Sequence, residues 1–272
     1  MSGNPLNERS EFPRRYSPEV LFAIPRDISR SSVGIDERFN IKGVDHWRAY
    51  EISWIDDSGK TEVRVGEIFF DLTSKNIIES KSLKLYLNSF NEEVFISEED
   101  IKEKIIDDLS RVSESEVSVL LHKLDCGDSL EIMRRTGHSI DNEKISNVSS
   151  QPNILALDTS DITVTDERLY SDLFRSICPI TGQPDWASFQ IEYSGGKISE
   201  CGLLSYLCSF RAHGAYHEEC AERIFYDIYV RCRPTELSIS LNFLRRGGID
   251  INVYRSTKKL NSNALMTRLI RQ

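Results

Sequence analysis

The sequence contains a short loop, C-P-I-T-G-Q-P-D-W, in which Cys178 is followed closely by Asp185. Two prolines and a glycine favour a turn, and the runs 170–177 and 188–193 predict a strand on each side. Cys178 and Asp185 would then lie at the ends of two neighbouring strands. There a thiolate can attack an electrophilic carbon while the carboxyl group transfers the proton. The alternative is an inert cysteine, because buried cysteines usually behave as small hydrophobic residues.

The composition predicts a globular protein without a nucleic-acid or membrane partner. The 272 residues are 39% hydrophobic and 28% charged, which is typical of one large or two ordinary folded domains. The net charge of −9 argues against a nucleic-acid-binding surface, which usually carries a basic stripe. No run approaches the roughly 20 apolar residues of a membrane span, and residues 1–12 lack the apolar core of a signal peptide.

The cysteines and histidines predict a reducing compartment and no metal. None of the six cysteines belongs to a C-x-x-C pair, and a chain of this length stabilises its core without disulfides. A cytoplasmic location therefore fits best. His213 and His217 lie near Cys208 and Cys220, which makes zinc an alternative, but no structural-zinc spacing completes the set.

The order of predicted elements divides the chain into an arm and two modules. Residues 1–42 are interpreted as an N-terminal arm on the surface of the first module. Residues 43–150 form the first module and residues 151–272 the second, and the pattern of each predicts the order ββααββ. The fold class is therefore α+β, with an antiparallel sheet covered by two helices on one face of each module. The open sheet edges predict that the modules pair and that the pair dimerises.

An internal repeat supports this division. Shifting the chain by 120 positions lays residues 67–124 on residues 187–244 without a gap and gives 16 identical pairs in 58. The apolar faces of both predicted helices stay in phase over this length. Chance matches would not preserve helix faces in this way, so the two modules are predicted to be copies of one fold.

The two copies differ where charged residues have been added. Lys81 and Lys84 lie at a predicted helix start in the first module, where two cations and free N–H groups can bind phosphate. In the second module, Glu218 either caps a helix or accepts N–H donors from an amidine or guanine edge. The segment Arg245–Gly248 predicts a flexible cationic turn suited to phosphate, although an ordinary β-turn with solvated arginines fits equally well. No Rossmann, P-loop or G-x-S-x-G signature is present.

Three segments together resemble one family, the NADPH-dependent 7-cyano-7-deazaguanine reductases, which are the nitrile reductases of queuosine biosynthesis. The segments are E-S-K-S-L-K-L-Y at 79–86, C-P-I-T-G-Q-P-D-W at 178–186, and H-E at 217–218 before E-R-I-F at 222–225. The long, two-module form of this tunnelling-fold family fits best, and the resemblance covers nearly the whole chain beyond the arm. The chain departs from the family pattern at Val253, where proline is usual, and at Tyr216, where phenylalanine is usual.

The resemblance implies a role for each matching residue. Cys178 would add to the nitrile carbon to form a thioimidate, and Asp185 would protonate the nitrogen. The substrate pocket would consist of Ile78, Glu79, Ser80, His217 and Glu218, with the two glutamates on the pyrimidine edge. NADPH would be held by Ser80, Lys81, Arg246 and Gly247, whose cations favour its extra phosphate over NADH. The family pattern also implies a homodimer without a metal.

The implied reaction agrees with what the residue types can do. A nitrile is a poor hydride acceptor, whereas a protonated thioimidate is a good one, so a covalent step on cysteine prepares the carbon for reduction. Three other functions stay open. The same thioimidate could be hydrolysed by a thiol nitrile hydrolase, the chain could be a non-catalytic purine- or pterin-binding member of the fold, or it could be a zinc-dependent cyclohydrolase relative.

Overall fold

The computed structural model describes residues 13–35, 39, 41–125, 132–259 and 268–272. The helices are α1 (Arg26–Val33), α2 (Ser80–Asn88), α3 (Glu98–Ser113), α4 (Glu200–Cys208) and α5 (His217–Cys232). The strands are β1 (Ala23–Pro25), β2 (Lys42–Ile55), β3 (Thr61–Asp71), β4 (Asn76–Ile78), β5 (Val117–His122), β6 (His138–Ser139), β7 (Thr159–Ile177), β8 (Pro184–Ile198), β9 (Glu236–Phe243) and β10 (Ile249–Ser256). No helix within these ranges is both long and apolar enough to span a bilayer.

The two modules share one eight-stranded sheet with the strand order β5-β3-β2-β10-β9-β8-β7-β6. All the long strands are antiparallel to their neighbours, and the junction between the modules is the pairing of β2 with β10 from Ala49↔Ile249 to Lys42↔Ser256. The predicted α+β class is confirmed. The first strand of the first module, β2, and the last strand of the second, β10, are thus paired with each other and do not remain open edges.

The second module follows the order ββααββ, whereas the first departs from it in two places. A short strand β4 precedes its first helix and pairs with β1 of the arm. After β5, the described part of the first module contains only the two-residue strand β6, which pairs in parallel with β7 of the second module. The two copies therefore share their first hairpin, both helices and the following strand.

The repeat is real, but its spacing changes by one residue at the second helix. Helix α2 and helix α4 are separated by the predicted 120 positions, because their N-caps are Glu79 and Ser199. The N-caps of α3 and α5 are Ser97 and Tyr216, which are 119 positions apart. Glu218 thus corresponds to Glu99 and not to Glu98 as the gap-free alignment had it. The sequence did not reveal this gap, because Glu218 is matched to a glutamate whether it is aligned with Glu98 or with Glu99.

Each module packs its two helices on one face of the sheet through the same kind of contacts. The apolar faces carry Leu83, Leu87, Ile101, Ile105 and Leu109 in the first module and Leu203, Leu207, Ile224, Phe225 and Ile228 in the second, all buried. A buried tyrosine joins the two helices in both copies, since Tyr86 donates to Asp108 at 2.8 Å and Tyr206 donates to Asp227 at 2.7 Å. Burial of this apolar surface is the main stabilising contribution.

The N-terminal arm contacts both modules. Its strand β1 extends β4 of the first module, and the backbone of Phe22 accepts a hydrogen bond from Glu79 N at 2.9 Å. Helix α1 lies against α5 of the second module, where Arg30 Nε donates to Glu222 Oε2 at 2.7 Å. The arm therefore contacts the start of α2 through Phe22 and contacts α5 through α1.

A buried ion network lies where the arm, β2, β10 and α5 meet. Arg255 bridges Asp45 at 2.7 Å and Glu222 at 2.9 Å, and Arg26 pairs with Asp45. Burial alone raises the pKa of Glu222, but Arg255, Arg30 and Arg26 outweigh it and lower that pKa to about 2. Because removing one partner of a buried ion pair leaves an uncompensated charge, this network holds the module junction in one arrangement.

Candidate active site

The loop between β7 and β8 presents Cys178 and Asp185 on the same side of the sheet. Register Ile177↔Pro184 and Ser176↔Asp185 confirms the predicted hairpin, although its strands are longer than predicted. The loop is closed by Cys178 N donating to Gln183 O at 2.9 Å and Gly182 N donating to Cys178 O at 3.0 Å. Side chains alternate along a strand, so Asp185 is buried while Trp186 is exposed.

A cavity of about 350 Å³ brings residues of both modules together around this loop. Eight of the ten residues predicted from the sequence line it: Glu79, Ser80, Lys81, Cys178, Asp185, His217, Arg246 and Gly247. Apolar side chains of Leu85, Ile180, Phe243, Leu244, Ile249 and Ile251 complete the wall. Apolar walls with a few convergent polar groups are typical of small-molecule sites.

Cys178 contributes the thiol that lines this cavity. Burial by itself raises the pKa of Cys178, but hydrogen bonds from the Thr181 hydroxyl, the N–H groups of Thr181 and Ile180, and Arg246 outweigh burial and lower the pKa below its ordinary value. Those donors stabilise the thiolate, which is the nucleophilic form.

The other cysteines within the described residues show the opposite shift. Burial raises the pKa of Cys220 to about 12 and that of Cys232 to about 11. Burial also raises the pKa of Cys208, and a hydrogen bond to Glu143 raises that of Cys201. Their thiols stay protonated near neutral pH, so nucleophilic reactivity is concentrated at Cys178.

Asp185 lies between a cation and a histidine. Its Oδ1 forms an ion pair with Arg246 NH1 at 2.9 Å, and its Oδ2 lies 3.7 Å from His217 Nε2. The His217 ring packs edge-on against Phe243 with ring centroids 4.1 Å apart. The carboxyl group is thus oriented from both sides and faces the cavity that contains Cys178.

The start of α2 forms the opposite wall of the cavity. The Glu79 carboxylate caps the helix by accepting Lys81 N at 3.0 Å and Ser82 N at 2.8 Å, which leaves further lone pairs on both oxygens. Lys84 approaches the turn after β9, where a Cβ on Gly247 would come within 3.0 Å of Lys84 Nζ. Gly247 has a φ of +63°, a left-handed conformation that favours glycine, whereas the Lys84 side chain could move away from a Cβ.

Two predicted site residues, Ile78 and Glu218, lie outside the cavity lining. Both are buried, Ile78 in β4 and Glu218 in the first turn of α5 beside His217. Glu218 Oε1 has no hydrogen-bond partner among the described residues. Burial, and then the nearby charge of Asp45, raises the pKa of Glu218 to about 7. An unpaired buried carboxyl oxygen of this kind is costly unless a ligand supplies a donor.

Glu218→Gln is expected to change the pH dependence of stability. The raised pKa means that between its unfolded value and about 7 the folded protein binds the extra proton, so wild-type stability falls as pH rises through this window. The neutral glutamine removes that slope and stabilises the protein at pH 8 by about 2–3 kcal/mol, at about 1.4 kcal/mol per pH unit.

Urea unfolding of both proteins at pH 5 and pH 8 measures the effect. The neighbouring Glu219→Gln is not a suitable control, because Glu219 is partly buried and accepts a hydrogen bond from Tyr216 N. Glu103→Gln, on the solvent face of α3, is the matched variant. Equal pH slopes in wild type and Glu218→Gln would contradict the assignment.

Sequence reasoning assigned no role to Thr181, Phe243 or the apolar wall. Thr181 lines the cavity with Cys178 and its hydroxyl contributes to the lowered pKa of that thiol, while its Oγ1 accepts a hydrogen bond from Gln183 N at 3.3 Å. Its position three residues after Cys178 in a tight turn was a usable signal. Phe243, by contrast, ends a strand far along the chain, and no sequence pattern marked it as a site residue.

Comparison with known proteins agrees with the geometry. The family model described as nitrile reductase, 7-cyano-7-deazaguanine-reductase N-term, matches residues 12–121, and the model described as QueF-like protein matches residues 184–262. The NADPH-dependent 7-cyano-7-deazaguanine reductase of Desulfotalea psychrophila is 45% identical over 260 residues, which are 94% of this chain and 93% of that protein. The chain belongs to the 7-cyano-7-deazaguanine reductase family.

Two further relatives have the same name. The protein of Coxiella burnetii (strain Dugway 5J108-111) is 43% identical over 269 residues, covering 93% of each chain. That of Dechloromonas aromatica is 43% identical over 255 residues, covering 93% of this chain and 90% of that protein. The resemblance noted in the sequence is thus confirmed over both modules.

The two departures from the family pattern lie in different surroundings. Tyr216 is the N-cap of α5 and lies close enough to Glu79 and Cys178 for their charges, after burial, to raise its pKa. Val253 is buried in the centre of β10, between β2 and β9. Tyr216 therefore borders the site, whereas Val253 belongs to the sheet.

Among the described residues, no group of His, Cys, Asp and Glu is arranged to hold a metal ion. His213 and His217, which the sequence placed near Cys208 and Cys220, have other contacts. His213 packs edge-on against Phe210 at 5.5 Å, and His217 faces Asp185.

Proposed function

We propose that this protein reduces the nitrile of 7-cyano-7-deazaguanine to the aminomethyl group of 7-aminomethyl-7-deazaguanine with two NADPH, through a covalent thioimidate on Cys178. The observation that carries the proposal is the cavity in which a thiol with a lowered pKa faces a buried acid and a set of cations. The names of the relatives support the substrate and the NADPH dependence.

Cys178 and Asp185 perform the covalent step. The sulfur forms a bond to the nitrile carbon, one π bond of the nitrile breaks, and the nitrogen takes a proton from Asp185. The ionised thiol is stabilised by Thr181 and the loop N–H groups, and Asp185 is oriented by His217 and Arg246. General acid catalysis of this kind contributes about 10²–10⁴-fold.

Five residues hold the deazaguanine: Ile78, Glu79, Ser80, His217 and Glu218. The unpaired Glu218 Oε1 is a ready acceptor for an N–H of the pyrimidine edge, and a carboxylate can pair with two such donors at once. Glu79 retains lone pairs after capping α2 and lines the cavity. Ile78 supports this wall from β4 without reaching the cavity surface.

Ser80, Lys81, Arg246 and Gly247 hold NADPH, which supplies hydride to the carbon bound to Cys178. The residues present fit this group, because Lys81, Lys84 and Arg246 all line the cavity next to the start of α2. Free N–H groups of a helix start and cations together favour phosphate. The glycine at 247 keeps the turn free of a side chain that would meet Lys84.

The cellular setting follows from this chemistry. The reaction belongs to the formation of queuosine in tRNA, with the free base and not the nucleic acid as substrate, and it requires no metal. A cytoplasmic location suits a reactive thiol, and the described cysteines are all unpaired. A homodimer is expected because the eight-stranded sheet has two open ends, at β5 and at β7 with the short β6.

The test is the stoichiometry of the purified protein with 7-cyano-7-deazaguanine. Two NADPH oxidised for each amine formed is the expected result, measured by absorbance and by mass of the product. Product formation without NADPH would instead indicate the thiol nitrile hydrolase. Tight binding of the substrate with neither adduct nor product would indicate a binding protein.

A further inference from the structure

Arg246 pairs with one reacting group, Asp185, and lines the cavity that contains the other, Cys178. Its NH1 lies 2.9 Å from Asp185 Oδ1. Within this cavity the guanidinium also contributes to the lowered pKa of the Cys178 thiol. The side chain is 43% exposed, whereas that of Asp185 is 6% exposed, so the arginine extends from the surface into the cavity.

We propose that Arg246 is a catalytic residue of the covalent step, acting as the counter-ion that Cys178 and Asp185 share before NADPH binds. This inference rests on the proposed thioimidate. It assigns a second task to a residue whose only other assignment is cofactor binding.

The physical reason is the charge of the pair. Thioimidate formation needs a thiolate and a carboxylic acid, which together carry one proton and one negative charge. The planar guanidinium has five N–H donors and remains charged at all relevant pH values, so it can pair with whichever of the two groups holds the negative charge. In a cavity with apolar walls such as Phe243 and Ile251, this interaction is stronger than in water.

Arg246 remains next to the negative charge as that charge shifts during the reaction. As the carbon–sulfur bond forms, negative charge leaves Cys178 for the nitrile nitrogen, which takes the proton of Asp185. The product state is a neutral thioimidate and an Asp185 carboxylate, and Arg246 is already placed against that carboxylate. No electrons are gained or lost, and the proton count is unchanged. A charge held ready where charge develops stabilises the transition state.

The turn that carries Arg246 supplies a matched control. The neighbouring Arg245 does not line the cavity and stacks on the Tyr50 ring at 4.4 Å. Arg245→Gln and Arg246→Gln therefore remove the same charge from adjacent positions of one turn. Arg246→Lys keeps the charge but loses the planar fork.

The experiment follows thioimidate formation by intact-protein mass with 7-cyano-7-deazaguanine and no NADPH. Arg246→Gln is expected to lower the rate of adduct formation by about 10²-fold, the usual effect of removing one stabilising donor. Arg246→Lys is expected to recover part of the loss, and Arg245→Gln to form the adduct at the wild-type rate. In parallel, the pH midpoint of Cys178 alkylation by iodoacetamide is expected to rise in Arg246→Gln only.

Each outcome either supports or overturns the role of Arg246 in the covalent step. A wild-type rate of adduct formation in Arg246→Gln, with only the KM for NADPH raised, would show that Arg246 serves the cofactor alone and overturn the inference. If wild type itself forms no adduct, the proposed function fails, and the alkylation midpoint still reports whether Arg246 stabilises the thiolate. Unfolding in urea confirms that the variants are folded.

Discussion

Cys178→Ala is expected to abolish turnover, with a loss of at least about 10⁴-fold in kcat, as for other enzymes deprived of their nucleophile. The reason is that a nitrile accepts hydride poorly until sulfur has added to its carbon. Intact-protein mass measures the step directly: wild type mixed with 7-cyano-7-deazaguanine gains the mass of one substrate, and Cys178→Ala gains nothing. Substrate binding should persist, because Glu79 and Glu218 are unchanged.

Cys201→Ala is the matched control for this loss. Cys201 is exposed at the start of α4 and lies outside the cavity, so its variant should form the adduct and turn over as wild type does. Normal turnover by Cys178→Ala would remove the cysteine from the mechanism. An adduct that moves to another cysteine would show that Cys178 is reactive but not required.

Asp185→Asn is expected to lower both the rate of adduct formation and kcat by about 10²–10⁴-fold, the usual contribution of a general acid. Asparagine has nearly the shape of aspartate but cannot transfer a carboxyl proton to the nitrile nitrogen. The change also breaks the 2.9 Å ion pair with Arg246. Since Arg246 is then free of its carboxylate partner, NADPH should bind at least as tightly as in wild type.

Rapid-mixing mass spectrometry and NADPH titration together test this prediction. Asp172→Asn provides the control, because Asp172 lies on the same hairpin and pairs with Arg135 away from the cavity. Retention of more than a tenth of wild-type kcat by Asp185→Asn would argue against its role as the acid. Weak NADPH binding in the same variant would mean that the ion pair positions the turn and does not compete with the cofactor.

Local patterns in the sequence predicted the parts of the fold that short segments specify. The prolines and glycine around Cys178 placed a turn between two strands, and that hairpin is present with Cys178 and Asp185 at its end. The repeat predicted two similar modules, and the structure contains both copies of the helix pair. Such signals are local because periodicity, turn residues and caps act within a few positions of the chain.

The sequence could not show the one-residue change in the repeat or the way in which the modules join. Both depend on register: a gap before α5 leaves the helix pattern intact, and the pairing of β2 with β10 joins strands from opposite ends of the chain. Strand pairing across such distances is decided by the packing of the whole sheet, which no single segment encodes.

By itself, the sequence determined the α+β class, the duplication and the residue types of a thiol–carboxyl site. Tertiary structure alone decided which charges meet. Arg246 reaches Asp185, in the cavity that contains Cys178, because β9 pairs with β8 and carries its turn to the end of the hairpin. Glu218 acquires its raised pKa from burial beside Asp45, a residue of the other module. Electrostatic interactions depend on distance and burial in space, and those are set only when the two modules close on one sheet.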